Sequence, residues 1–244
     1  MYIPKHNLVF NMKGKGVVTQ GFDQNATDIY KKDGRTGHGA IDTYVGYGKP
    51  IKASNAGQVY KVISPGDLAS NWVGVYMLCE TEEKDVYMEI GTGHFSKVAV
   101  KENQMVKEGD VLGYEGNSGK VFSGSAGRFI TVAEQLAGDK RGAHTHTWWR
   151  PVRLSEKKPT HRLRTKSGAS YRWSDGRYLE IINVDNGYKG NIDPQPFLVN
   201  RDYKTGVIKT AYQKLVEQLK TELTLQLIKV EIAKILKKQG KDLA

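Results

Sequence analysis

Residues 8 to 135 are a succession of short apolar runs broken every few residues by glycine, and this spacing excludes any long helix over half of the chain. "KGVVTQGF", "GQVYKVIS", "WVGVYMLCE", "DVYMEIGTGHFS" and "GDVLGYEG" each pair β-branched or aromatic residues with a period near two. The expectation is a mainly β fold, an antiparallel sheet with many turns. At 244 residues the chain can bury one substantial core with an appendage. The stretch from Arg150 to Tyr178 is basic, holds two prolines and has no clear periodicity, so it reads as a long exposed excursion. Beyond Asp202 the pattern changes: no proline, one early glycine and helix formers throughout predict a closing α-helix of about 30 residues.

That predicted helix carries two apolar stripes. One runs through Leu215, Leu219, Leu223 and Leu227, the other through Leu225, Ile228, Ile232 and Ile235 on the opposite side. Two faces call for two partners, so self-association or a particle partner is expected, with intramolecular packing on one side. Lys229, Lys234, Lys237 and Lys238 keep a membrane surface open as an alternative.

Charge and cysteine content narrow the setting. A net charge of +11 points to an anionic partner: nucleic acid, a membrane surface or a bacterial wall. No zinc-finger spacing or aromatic RNA-binding motif is present, so nucleic acid is not expected. The single cysteine, Cys79, excludes an intramolecular disulfide and sits in the apolar run "VGVYMLC", where it reads as a buried structural thiol. The start "MYIPKHNLVF" has no signal-peptide pattern and no run of eighteen apolar residues occurs. The expectation is a protein made in a host cytoplasm without an ordinary export signal, and acting elsewhere.

Chemistry concentrates in three glycine-flanked clusters that hold four of the six histidines. "GRTGHGAIDTY" places His38 and Asp42 in an H-x-x-x-D spacing, "GTGHFSKV" holds His94, and "GAHTHTWW" holds His144 and His146. On a strand, residues two apart share a face, so His144 and His146 project together. Imidazole nitrogen and carboxylate oxygen suit zinc, and a catalytic zinc takes three protein ligands and leaves one position for water. No H-E-x-x-H helix is present to supply a glutamate base. Tyr44, Tyr47, Trp148 and Trp149 are candidates for lining a peptide groove, with one tryptophan of the pair turned to the core.

From about Val17 to Leu198 the sequence resembles the lysostaphin-type zinc endopeptidases, which cleave peptide cross-links of bacterial peptidoglycan. "GHGAIDTYVGYGKPIKASNAGQV" is similar to that family's first motif, where the ligand histidine and aspartate precede G-x-P-I/V-x-A-x-x-x-G-x-V. "GHFSKVAVKENQMVKEGDVLGYEGNSG" is similar to its middle block, "GAHTHTWW" to its G-x-H-L/V-H-F/W motif, and "IDPQPFL" to its D-P-x-x-F/L/Y-L ending. The resemblance implies an antiparallel β metallopeptidase domain over residues 1–203 and a helical extension over 204–244. It implies zinc on His38, Asp42 and His146, with His94 and His144 as catalytic histidines that polarise water and stabilise developing charge. It further implies peptidoglycan as partner and hydrolysis of a stem or cross-bridge amide. Without an export signal, a phage lytic or virion-carried wall-penetration enzyme is the expected setting. The alternative is a non-catalytic wall-binding or particle-assembly protein on the same domain. Two departures from the family pattern are insertions at about 120–141 and 150–190, which border the expected cleft. Thr145 stands where an apolar residue is common and is expected to face away from the metal.

Overall fold

The computed structural model describes residues 34–199 without a break and, outside them, 4–8, 10–11, 16–24, 28–32, 201–202 and 206–207. The helix expected beyond residue 204 lies outside the described residues.

The architecture is mainly antiparallel β. The large sheet runs Val17–Gln20, Ile41–Tyr44, Thr145–Ser155, Val86–Gly93, Gly74–Glu80, Gly57–Ile63 and Met105–Val106, with Tyr178–Ile181 added beside the far half of Thr145–Ser155. Every one of these pairings is antiparallel. A second sheet of three strands, Pro50–Lys52, Val111–Glu115 and Phe95–Val98, packs against it. Helices are short: Asp28–Lys32 and Val132–Leu136.

Alternation along the central strands sorts side chains into two layers. Val75, Met77, Cys79, Met88, Ile90 and Trp149 face the small sheet and meet Phe95 and Leu112 in the main core. Burying each such side chain contributes about 1.5–3 kcal/mol. Cys79 is fully buried among them, as its apolar context predicts. On the opposite face Tyr60, Leu78 and Val152 form a second cluster with Leu163 and Leu179.

This second cluster corrects the reading of Arg150–Tyr178 as an exposed excursion. The strand that begins at Thr145 continues to Ser155, and the following turns fold back over the sheet with Leu163 buried and Tyr171 and Trp173 packed beside it. Three apolar residues, spaced eight and two apart among arginines, leave no periodic trace, yet they suffice to seat the segment. Backbone bonds Leu163 N–H to Leu179 O and Tyr171 N–H to Leu163 O hold it, at 2.9 and 3.0 Å.

The insertion after "GNSG" is also ordered. A hairpin, Val121–Ser123 with Arg128–Ile130, leads into the Val132–Leu136 helix. Thr131 and Glu134 close a capping box at its start, each side chain satisfying the other's backbone N–H. Gln135 then donates to Gly119 O at 2.7 Å, and Asn117 donates to Asp139 O and Arg141 O at 2.6 and 3.0 Å, so the insertion is anchored beside the third histidine motif.

Candidate metal centre

Sheet register brings the separated motifs together. His146 lies opposite Asp42 on one neighbouring strand and opposite Gly93 on the other. His38, in the loop before Ile41–Tyr44, is buried, and its Nδ1–H donates to Gly21 O at 3.0 Å. That bond leaves Nε2 as the basic nitrogen, 3.1 Å from His146 Nδ1 and 3.3 Å from Asp42 Oδ1. His146 Nδ1 is 2.8 Å from the same carboxylate oxygen. These three atoms form a triangle of edges 2.8–3.3 Å. Ligands on a tetrahedral zinc at bond lengths of 2.0–2.2 Å stand about 3.3 Å apart, so the donor set fits that ion in both chemistry and spacing.

His94 and His144 complete the cluster. His94 ends the Val86–Gly93 strand with a left-handed backbone, φ 66°, which breaks the alternation and turns its ring into the site. Holding a non-glycine residue there costs about 1 kcal/mol or more, an expense that concentrates at functional positions. Its Nδ1–H donates to Ser118 O at 2.6 Å, and that of His144 donates to Gly142 O at 2.8 Å. Both rings therefore keep Nε2 basic. His144 Nε2 is 3.5 Å from Asp42 Oδ2, and the His94 and His144 rings lie 4.5 Å apart. His94, His144 and His146 form a second grouping that could hold an ion, sharing His146 with the first; it lacks a carboxylate.

Burial would raise the Asp42 carboxyl, but the charge and hydrogen bond of His146, with further help from His38 and His144, hold it well below the usual carboxylate range. Burial lowers both His94 and His146 and neighbouring imidazoles add to the effect, while the Asp42 carboxylate opposes it, most directly at His146.

Behind the site, the fully buried Glu115 accepts from Val45 N–H, Gly46 N–H and Thr145 Oγ1–H at 2.9, 2.7 and 3.2 Å. Thr145 thus faces away from the metal cluster, as expected, and ties the histidine strand to the loop after Asp42. The "IDPQPFL" ending works the same way: Asn191 donates to Gly39 O at 2.8 Å, and Phe197 stacks on Trp149.

The cluster opens into a cleft of about 1090 Å³. Of the four aromatic residues expected there, only Trp148 lines it; Trp149 is fully buried in the main core, and neither Tyr44 nor Tyr47 reaches the cleft. Tyr44 is exposed at the end of its strand, and Tyr47 lies under Lys140 of the insertion. Trp72, Tyr76, Tyr30, Phe122 and Phe129 line the cleft and were not anticipated. A signal for Trp72 was present: "GTGH" puts Gly91 and Gly93 on one face of a strand, where Trp148 and Trp72 lie over them. A β-carbon on either glycine would come within 2.0 Å of an indole atom.

A search of curated proteins returns no match to the chain. Among solved structures it is similar to the catalytic domain of the prophage-encoded M23 protein EnpA from Enterococcus faecalis, at 20% identity over 60% of this chain and 85% of that one, TM-score 0.38. It is also similar to lysostaphin from Staphylococcus simulans, at 16% identity over 86% of this chain and 65% of that one, TM-score 0.44. A zinc-containing peptidase from Vibrio cholerae matches at 21% identity over 59% of this chain and 37% of that one, TM-score 0.38. The family model described as Peptidase family M23 matches residues 36–131, a span that holds His38, Asp42 and His94.

Proposed function

We propose that the protein is a zinc-dependent endopeptidase that hydrolyses amide bonds in the stem or cross-bridge peptides of bacterial peptidoglycan. The observation that carries this reading is the triangle of His38 Nε2, Asp42 Oδ1 and His146 Nδ1, with edges of 2.8–3.3 Å, set in a cleft beside two further histidines. His38, Asp42 and His146 would hold the ion, which supplies Lewis acidity toward the attacking water and the amide carbonyl.

The remaining chemistry belongs to side chains. His94 and His144, each with Nδ1–H committed to a backbone carbonyl, present Nε2 to the cleft. A neutral imidazole so placed accepts the proton of the attacking water and returns one to the leaving amine. The imidazolium formed also offsets negative charge that develops on the carbonyl oxygen. Trp148, Trp72 and Tyr76 line the cleft with aromatic surface along which an extended peptide backbone can lie. The basic excess suits an anionic wall, the setting of a phage lytic or wall-penetration enzyme. A domain over residues 1–203 followed by a separate C-terminal extension is the organisation this reading adopts.

The test is incubation of the zinc-loaded chain with purified sacculi of several wall chemotypes, with mass spectrometry of the released fragments. New amine termini within the peptides support the reading. Intact peptides in every chemotype, with zinc bound, would reject it in favour of a non-catalytic wall-binding role.

A further inference from the structure

The cleft floor is organised in rows by strand register. Lys61 pairs with Tyr76, Tyr76 with Gly91, and Gly91 with Trp148, so these four residues stand side by side across four adjacent strands. One step along the same face on one side is the row of His146 and Gly93; one step on the other is Arg150 and Glu89. The aromatic row thus runs from the metal cluster outward and terminates in an ammonium group.

Lys61 has an unusual environment. Its Nζ sits 3.7 Å above the Tyr76 ring and, among the described residues, meets no carboxylate at ion-pair distance. It is half-buried and lines the same cleft as the histidines. The nearest acid on the floor, Glu89, is fully buried and already committed: it accepts from the Tyr60 hydroxyl and holds Arg150 Nε at 2.5 Å. Two cations therefore share one carboxylate and leave about one positive charge on this part of the floor. Across the cleft Lys120, over the Phe129 ring at 4.8 Å, adds another. Asp42 is the only acid that lines the cleft.

A half-buried ammonium on which the carboxylates of Glu89 and Glu102 act only from beyond ion-pair distance is costly to maintain by itself. Burial does lower the pKa of Lys61. An incoming anion relieves that cost, and a carboxylate is the anion a wall peptide carries. Resting on the peptidase reading above, we propose that Lys61, backed by Arg150, is the anchor for a free carboxylate of the substrate peptide and sets a preference for acidic over amidated peptides. The Lys61 Nζ to Tyr76, Tyr76 to Trp148 and Trp148 to His146 contacts, at 3.7, 5.3 and 5.7 Å, bound the distance from anchor to metal cluster. At about 3.3–3.6 Å per extended residue, that bound places the recognised carboxylate no more than about four residues from the scissile amide.

The test uses two synthetic wall peptides that differ only in a free carboxylate or its amide at that spacing. Binding of each is measured by calorimetry, and hydrolysis is followed separately. The native chain should bind the carboxylate form about tenfold more tightly, the lower end for a charge-assisted contact at a half-exposed group. Lys61→Met should bring the binding ratio to about one, while Lys61→Arg should keep it. An undiminished ratio in Lys61→Met, or equal binding of both peptides by the native chain, would overturn the proposal. Thermal unfolding of each variant shows that it is folded. Hydrolysis reports on the peptidase reading separately: a carboxylate preference in binding with no cleavage of either peptide would sink that reading and leave the anchor standing.

Discussion

Gly91→Ala tests whether the cleft floor is built on the close approach of Trp148 to a bare strand. A β-carbon at Gly91 would lie 2.0, 2.1 and 2.5 Å from three atoms of the indole. Non-bonded carbons rest at about 3.5–4.0 Å, so the ring must retreat by about 1.5 Å. The strand cannot give way, because Val86–Gly93 is paired on both sides. Trp148 would then lose its edge contact with Tyr76 at 5.3 Å and its contact with Trp72 at 6.1 Å. Overpacking of this kind costs about 1–3 kcal/mol, and because the indole is half-buried and can swing toward solvent, about 2 kcal/mol is expected. For a chain of this size that lowers Tm by about 4–8 °C, read by circular dichroism. Gly124→Ala is the control: nothing lies within 4 Å of its added β-carbon, and it should stay within about 0.5 kcal/mol of the native chain. The decisive measurement repeats Gly91→Ala in a Trp148→Ala background. With the indole gone the added methyl should be neutral or stabilise by about 0.5–1 kcal/mol, since glycine weakens a strand interior. If the full cost persists without the indole, the clash is not its cause and the account of the floor is wrong.

Other perturbations separate the remaining claims. His146→Ala and His38→Ala should lose most bound zinc, whereas His94→Ala and His144→Ala should retain about one ion per chain and lose about 10²–10⁴-fold in turnover, metal content and rate being measured on the same sample. Zinc loss in either of the second pair would move that histidine into the ligand set. Glu89→Gln should destabilise the fold by about 3 kcal/mol in urea titration, because it strips the counter-charge from the Arg150 guanidinium; a change under about 0.5 kcal/mol would show that the pair carries no such weight. Burial pushes the Cys79 thiol from its ordinary 9.0 up to about 12, so the unfolded chain loses that proton near pH 9 while the folded chain keeps it. The resulting stability is present below pH 9 and is lost as pH rises toward 12, by about 1.4 kcal/mol at pH 10. Cys79→Ala should flatten the fall in unfolding free energy between pH 9 and 10, and an unchanged slope would exonerate the thiol.

The sequence made some of this legible because alternation is a local property. The runs around Val75, Met77 and Cys79 and around Met88 and Ile90 announce strands with one apolar face, and those residues form the main core. Adjacent tryptophans had to face opposite ways, and they do: Trp149 is buried, and Trp148 lines the cleft. His38, Asp42 and His146 converge as their spacing and neighbours implied, with His94 and His144 beside them. The packing of Arg150–Tyr178 is not legible because one buried residue, Leu163, and two partly buried ones, Tyr171 and Trp173, carry too little period to stand out among the arginines. Tyr44 and Tyr47 lie outside the cleft, at the end of the Asp42 strand and in the loop after it, because closeness in sequence to a ligand does not fix where a side chain reaches.

Register is the quantity that no local pattern supplies. Alternation states that Lys61, Tyr76 and Trp148 each point to some face; only the pairing of four strands states that they share a row and end at the metal cluster. Yet part of the row was written in glycine. A strand interior is a poor place for glycine, and Gly91 and Gly93 occupy two same-face positions of one strand just before His94. Such a pair is kept where something broad must lie against the backbone, and indole rings are the broadest side chains available. Both glycines are covered by tryptophans, Trp148 and Trp72, which also contact His146 and His94. The same two bare positions that weaken the strand therefore set the depth of the cleft floor relative to the histidines, and on the proposed reading that depth decides how close a peptide backbone comes to His38, Asp42 and His146.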